Sequence, residues 1–405
     1  VTVLRHAALP LDDAPHATAV AIAMGYDRGY FLKKAFALYP GVIRPVSATA
    51  LKPHYVRRRR DRGPLRAVLD ALAGTAFLAW VPWRARAVAR KHGLDAAWVG
   101  RAVAIARSRF ADPNDIALFR VEDEASFDTL IRRFEDAALN KRINPLGWTA
   151  DCVLADKVRF QARCAAAGLP HPETVATVAA GVLTHAADPA GRELVAKPSD
   201  GEGGDGVRMI GAFADAADLA ARLPSVLCSG PGVTIIQPRV VVHPALADLA
   251  LDALPTVRIV TMRSIDGTPE VVSATFRFPS DPQARVDNMK AGGLIAAVDD
   301  TGALGIACKG YGGGDIAVHP VTGAVIVGRV LPDWGAATAL AVRAHAEVFA
   351  EYVLIGWDVA LTPGGPVLIE GNGKPGVLMP QRAARRGLAQ GRYGELLAHH
   401  LAAAL

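Results

Sequence analysis

Several features are scarce in this chain of 405 residues, and each scarcity excludes something. The four cysteines (Cys152, Cys164, Cys228 and Cys308) form no CxxC pair and lack metal-like spacing. Free thiols in a reducing compartment are expected, and with no secretory signal a cytoplasmic location is expected too. The longest apolar run, Ala67–Val81, contains Asp70 and falls short of the roughly 20 residues a spanning helix needs. A buried or interfacial helix is the expectation there. No Gly-Lys-Ser/Thr follows the glycine-rich stretch, so a Walker A loop is excluded. His-Arg-Asp and Asp-Phe-Gly are missing, which excludes the protein-kinase signature. No Ser/His/Asp or Cys/His arrangement asks for a covalent nucleophile. His243 and His319 each precede proline and read as loop histidines. Internal repeats are absent, and alanine richness is the only compositional bias.

What is present fits a soluble globular protein of two or three domains, with 51% hydrophobic and 21% charged residues and a mean hydropathy of +0.22. The net charge of +6 is unevenly spread: residues 51–110 hold fourteen Lys or Arg against three acids. Arg57–Arg60 forms a run, and Arg84, Arg86, Arg90 and Lys91 follow Trp80 and Trp83. Three readings of this belt stay open: a solvated face, a surface for anionic lipid or a polyanionic substrate, and a nucleic-acid patch. Nucleic acid is not expected, because no reader motif accompanies the charge.

Residues 1–140 read mainly as helices, the best segments being 28–38, 65–91, 96–110 and 125–138. Asp123-Glu124-Ala125-Ser126 supplies acids and a small polar residue near the start of the last of them, consistent with N-terminal capping. Asn140–Trp148 reads as a linker. Beyond residue 150 the texture changes. A helix is expected over 156–167, then strands at 194–197, 207–210, 233–237, 256–262, 271–278 and 294–298, then a helix over 332–352. Helices and strands do not alternate regularly, so the class is α+β.

The stretch Ile355–Asn372, IGWDVALTPGGPVLIEGN, reads as a hairpin of two apolar strands around the turn Thr362–Pro366. A turn centred on Gly364 puts Asp358 opposite Glu370, and opposed residues share a face. Asn372, two residues on, joins them. Two carboxylates and an amide oxygen converging on an apolar ribbon repel one another unless a cation intervenes, and hard oxygen donors suit Mg²⁺ held jointly with phosphates.

A second motif is Leu194-Val195-Ala196-Lys197-Pro198, followed by a loop carrying Gly201, Gly203, Gly204 and Gly206. Its letters fit G-x-G-x-x-G, but residues 207–210 continue as a strand where a dinucleotide fold needs a helix. A strand–glycine loop–strand makes a flap whose N–H groups can close over phosphates. Lys197, at the end of the first strand, then supplies a point charge.

Taken together, these motifs resemble the ATP-grasp superfamily, and within it the sugar-transfer-associated group, over roughly residues 140–400. The resemblance implies an ATP-grasp fold, two α+β subdomains clasping ATP, and the mainly helical, basic N-terminal region read from the residues precedes it. The implied division is 1–140, 141–250 with the lysines and flap, and 251–405 with the hairpin. Asp156-Lys157 with the Gly168-Leu169-Pro170 turn resembles the helix whose lysine contacts ATP phosphate. Lys197 and the flap glycines match the second lysine and the phosphate cover. Residues 235–240 resemble the adenine hinge, with Gln237 where many members carry an acid and Val240 at its end. Arg258 resembles the arginine facing the transferred phosphate, and Asn288 the residue closing the reactive pocket. Asp358, Glu370 and Asn372 match the Mg²⁺ ligands, Mn²⁺ being an acceptable substitute. Lys374 lies beside them but departs from the family pattern.

The implied reaction is ATP-dependent, ADP-forming ligation of a carboxylate to an amine through an acylphosphate, on a sugar- or cell-surface-related precursor. A phosphotransferase using the same site with a hydroxyl acceptor, and a non-catalytic nucleotide-binding module, stay open as alternatives. The partner expected is a small-molecule substrate, anionic by the charge of the N-terminal region, with peripheral membrane contact through residues 51–110.

Overall fold

The structure is a computed structural model that describes residues 49–404 except 62, 202, 203, 205, 228–231, 284–291 and 310–313. The helix expected over 28–38, Gly203 and the 286–288 segment with Asn288 lie outside the described residues. The chain divides into two compact units. One is Cys152–Pro375, and the other joins the described residues up to Asp151 to those from Gly376 on. The C-terminal stretch thus belongs with the N-terminal region, where the sequence reading carries 251–405 as one subdomain.

The first unit is helical. Helices α1 (Lys52–Arg60), α2 (Pro64–His92), α3 (Ala96–Arg109) and α4 (Pro113–Leu118) precede α5 (Glu124–Asp128) and α6 (Arg133–Ile143). Apolar positions at helical spacing build one core, with Phe77, Val81 and Val88 of α2 packing among Ala102, Ile105 and Ile116. The apolar run read from sequence as 15 residues lies in a 29-residue helix that is long and apolar enough to cross a membrane by length and composition. Within the stretch expected to cap, Asp123 is the residue that caps α5, its carboxylate accepting from the Ser126 amide at 2.7 Å.

The single helix expected over 125–138 is two, with a break at Thr129–Arg132. Gln381 explains the break: its side chain accepts from the Ile131 amide at 2.9 Å and donates to the Ile131 carbonyl at 2.8 Å. The expected linker at 140–148 is also corrected. It continues α6 into a 3₁₀ turn, with Asn140 and Asn144 buried.

The second unit holds two antiparallel sheets. The smaller contains β1 (Ala176–Ala179), β2 (Val182–His185), β3 (Leu194–Pro198), β4 (Arg208–Gly211) and β5 (Thr234–Pro238), in the order β2-β1-β5-β3-β4. The larger contains β6 (Thr256–Arg263), β7 (Pro269–Phe278), β8 (Leu294–Ala297), β9 (Ala307–Lys309), β10 (Asp315–Ile316), β11 (Leu354–Thr362) and β12 (Gly365–Asn372), in the order β10-β9-β8-β7-β6-β11-β12. Helix α7 (Lys157–Ala166) precedes the sheets, and α8 (Trp334–Glu347) precedes β11.

Strand alternation gives the larger sheet two chemically distinct faces. Trp357 is buried on one face, stacked edge-on with Phe349, and its indole N–H donates to Thr261 at 2.8 Å. The same Thr261 hydroxyl lies 2.7 Å from His345 Nδ1, and burial draws the His345 imidazole down to about 4. The opposite face carries Thr275, Arg258, Asp358 and Glu370, aligned in one row across β7, β6, β11 and β12.

The Asp358–Glu370 pairing arises differently from the expected turn. The strands run on to Thr362 and resume at Gly365, leaving a two-residue loop. That loop alone would set Asp358 out of line with Glu370 by one residue. A bulge between Asp358 and Val359 restores the pair.

Candidate active site

Helix α7 opens the site. Asp156 caps it, accepting from the amides of Val158 at 2.9 Å and Arg159 at 3.2 Å. The next residue, Lys157, is anchored by its amide to the Ser199 carbonyl at 3.0 Å. Its ammonium donates to the Gly201 carbonyl at 2.5 Å and stands 3.7 Å from Glu370 Oε2. One lysine therefore ties the glycine loop of the smaller sheet to the hairpin of the larger.

β3 and β4 pair antiparallel on either side of that loop, so the strand–loop–strand reading replaces a dinucleotide fingerprint. Gly204 and Gly206 both take positive φ. At Gly206 a Cβ would also meet the Pro198 ring at 3.2 Å, so backbone shape and space both call for glycine. Lys197 is half-buried at the end of β3. Burial first, and then the charge of Lys157, draw its ammonium down to about 8.

On the larger sheet, Arg258 clasps Asp358 in a fork: Nε donates to Oδ1, and Nη2 to Oδ2 at 3.1 Å. Its Nη1 reaches the Pro375 carbonyl at 3.3 Å. Gly356, two residues before Asp358 on β11, leaves room for this arginine, since a Cβ there would lie 3.2 Å from Arg258 Cδ and 2.6 Å from Pro375 Cβ.

Arg277 escaped the sequence reading. From β7 its Nη2 donates to Asp358 Oδ2 at 2.7 Å and to Thr256 at 2.8 Å. Its signal was present. Ser273, Thr275 and Arg277 alternate with the apolar Ala274, Phe276 and Phe278, so a charge between two phenylalanines marks the polar face.

The two carboxylates experience opposite fields. Burial would push Asp358 up, but Arg258 and Arg277 outweigh it and hold the carboxyl well below the usual range. Glu370 is pushed up by burial and by Asp358, with Lys157 opposing. Asn372 Nδ2 lies 3.4 Å from Glu370 Oε1. The cation expected between the acids is, for Asp358, a pair of guanidiniums. Among the described residues no group of three His, Cys, Asp or Glu side chains stands ready for a metal. The oxygens still suit a hard cation that shares its shell with phosphate and water, because such an ion needs only one or two protein carboxylates. Four cations (Lys157, Lys197, Arg258 and Arg277) face two carboxylates, so the site has an excess of positive charge.

Gln237 is buried, its amide donating to the Pro172 carbonyl at 3.2 Å, so its side chain supports the turn before β1. The chain leaves β5 two residues before Val240, whose backbone N–H and C=O take no partner among the described residues. His243 and His319 are structural. One accepts from the Ala245 amide at 3.1 Å, and the other is buried against the Pro279 carbonyl at 2.9 Å. Lys374 is exposed.

The model of the sugar-transfer associated ATP-grasp family matches residues 136–393, more than half of the chain. The chain belongs to this family. Its two sheets are accordingly the two halves of an ATP-grasp fold. No curated protein matches the sequence. Among solved structures the chain is similar to an L-amino acid ligase from Bacillus licheniformis, at 14% identity over 60% of this chain and 49% of that one, TM-score 0.34. It is also similar to a D-alanine–D-alanine ligase from Bacillus anthracis complexed with ATP, at 14% identity over 63% and 66%, TM-score 0.36. It thus spans about half the length of the first and about two thirds of the second.

Proposed function

We propose that this ATP-grasp protein is an ATP-dependent carboxylate–amine ligase that works through an acylphosphate. The observation that carries the reading is Lys157, whose ammonium joins the glycine flap to the carboxylate hairpin beside Lys197, Arg258 and Arg277. Phosphoryl transfer asks a protein mainly for positioning and charge neutralisation, and these groups supply both. Lys157 and Lys197 bind the nucleotide's phosphates under the backbone of Gly201, Gly204 and Gly206, and the backbone N–H and C=O of Val240 receive the adenine edge. Arg258 and Arg277, aimed by Asp358, neutralise the oxygens of the phosphoryl group in flight.

Glu370 and Asn372, with Asp358 beside them, would hold Mg²⁺ or Mn²⁺, which when bound supplies further charge neutralisation at phosphate oxygens. A carboxylate oxygen of the substrate attacks the γ-phosphorus and ADP leaves. The amine then attacks the acyl carbon and phosphate leaves. The substrate in this reading is a small, anionic precursor of sugar or cell-surface type, and the expected location stays the cytoplasm.

The test is to incubate the protein with ATP, Mg²⁺ and pools of amino acids, sugars and carboxylates, following nucleotide and mass. Ligation predicts ADP, free phosphate and an adduct lighter than its parts by one water. A product heavier by one phosphoryl group would make the protein a kinase, and no substrate-stimulated turnover would make it a binding module. Glu370→Ala should abolish turnover with the fold retained, and full turnover in that variant would sink the metal assignment.

A further inference from the structure

Helix α2 has two apolar faces, and the protein core uses one. Phe77, Val81, Ala85 and Val88 are buried in the helical unit. On the opposite face Leu65, Val68, Leu72 and Trp83 are 75%, 58%, 64% and 60% exposed, with Leu69 beside them. At about 100° per residue these side chains fall within an arc of roughly 100°, and 18 residues at about 1.5 Å each give a stripe roughly 27 Å long. Ala76 and Ala79, exposed on the same arc, keep it continuous. Monomeric proteins seldom leave a contiguous apolar strip of this kind uncovered.

Charge identifies the occupant. Exposed basic residues flank the strip along the chain: Arg59 and Arg60 at the end of α1, Arg66 within the first turns of α2, and Arg86, Arg90 and Lys91 past Trp83. A second copy of the chain would bring two basic rims together. Residues 1–48 carry five Lys or Arg against three Asp, so they do not complement the rim either. Anionic phospholipid headgroups do.

The helix is long and apolar enough to cross a membrane, and only 22% of its most apolar stretch is buried. Spanning would strip Phe77 and Val81 from the core and carry Asp70, buried and 3.5 Å from Arg66, into hydrocarbon. We propose that the outer face of α2, with its arginine rim, docks the protein on an anionic lipid surface, the helix lying in the plane of the headgroups. The ligase reading is not needed for this, because docking is measured without nucleotide.

The experiment is flotation of the full chain with phosphatidylcholine vesicles, with and without phosphatidylglycerol. The protein should float with phosphatidylglycerol vesicles and stay behind with phosphatidylcholine alone. Leu69→Glu/Leu72→Glu and Arg59→Glu/Arg60→Glu should each lower partitioning at least about tenfold, with unfolding midpoints near that of the parent. Lack of binding to phosphatidylglycerol vesicles would overturn the proposal. So would undiminished binding by the leucine variant, or a solution dimer that this variant abolishes in a protein that does not float.

Discussion

Arg277 carries the sharpest expectation at the scale of single residues. It shares Asp358 with Arg258 and sits on the polar face of β7, so Arg277→Ala removes one of the two guanidiniums that the proposed reaction assigns to the transferred group. A loss of about 10²-fold in kcat is expected from deleting one such donor, read as ADP release, with the unfolding midpoint little changed. Gly356 tests the same fork by crowding. In Gly356→Ala the new methyl lies 2.6 Å from Pro375 Cβ and 3.2 Å from Arg258 Cδ. Such overpacking costs about 1–3 kcal/mol, so a lower melting temperature and weaker turnover should appear together.

The site was partly legible at this scale. Lys157, Asp358 and Glu370 announce themselves as charges at the ends or on the faces of apolar segments, and the structure brings them together. That Asp358 is held by arginines was not legible, because the partners come from β6 and β7, about 100 and 81 residues away. Gln237 stood in the hinge where many members carry an acid, and the bond that fixes its side chain, to the Pro172 carbonyl, is 65 residues away in sequence.

Elements with their own periodicity were readable from the chain. The alternation along β6 and β7 and the helical spacing of α2, α3 and α7 fix those segments within a residue or two of their observed ends. The hairpin of β1 and β2, two strands of four residues each, was missed. The break between α5 and α6 was missed for a physical reason. Its carbonyls and amides are satisfied from the C-terminal region, with the Ala389 amide donating to the Thr129 carbonyl at 3.0 Å and Gln381 bonding both backbone groups of Ile131. No local window contains those partners.

Helix α6 also carries a pH signature. Burial pushes Glu135 up to about 7, although its carboxylate accepts from the Arg132 amide at 3.1 Å. The folded state therefore keeps a proton that the unfolded chain releases above about 4.5. This contribution to stability, about 3 kcal/mol, is complete below the unfolded value and is lost as pH rises through about 7. Thermal unfolding followed at pH 5 and pH 8 should show a larger drop for the parent than for Glu135→Gln. An identical drop in both would mean that Glu135 is already ionised in the folded protein.

For the whole molecule, the two units make separable demands. The unit Cys152–Pro375 contains every described residue of the candidate site, so Mg²⁺ with ATP at roughly 100 times its Kd should stabilise the protein by about 2.7 kcal/mol. In Glu370→Ala the part of that gain requiring Mg²⁺ should disappear, and differential scanning calorimetry with and without the metal measures it. In the proposed docking the helical unit uses its exposed strip whether or not nucleotide is bound. Fold class and the order of the site motifs are set by local pattern and were readable in the chain. The assignment of the C-terminal segment to the helical unit depends on long-range packing and was not.

The central claim is ligation through an acylphosphate, and the path of one oxygen atom tests it. With a turning-over pool of substrates whose carboxylates carry ¹⁸O, attack on the γ-phosphorus makes one labelled oxygen the bridge of the acylphosphate. Attack by the amine then expels that oxygen with the phosphate. Mass spectrometry should find one ¹⁸O in the released phosphate and the other in the amide product. Unlabelled phosphate accompanying an amide product would contradict the acylphosphate, and a phosphorylated product without free phosphate would contradict ligation.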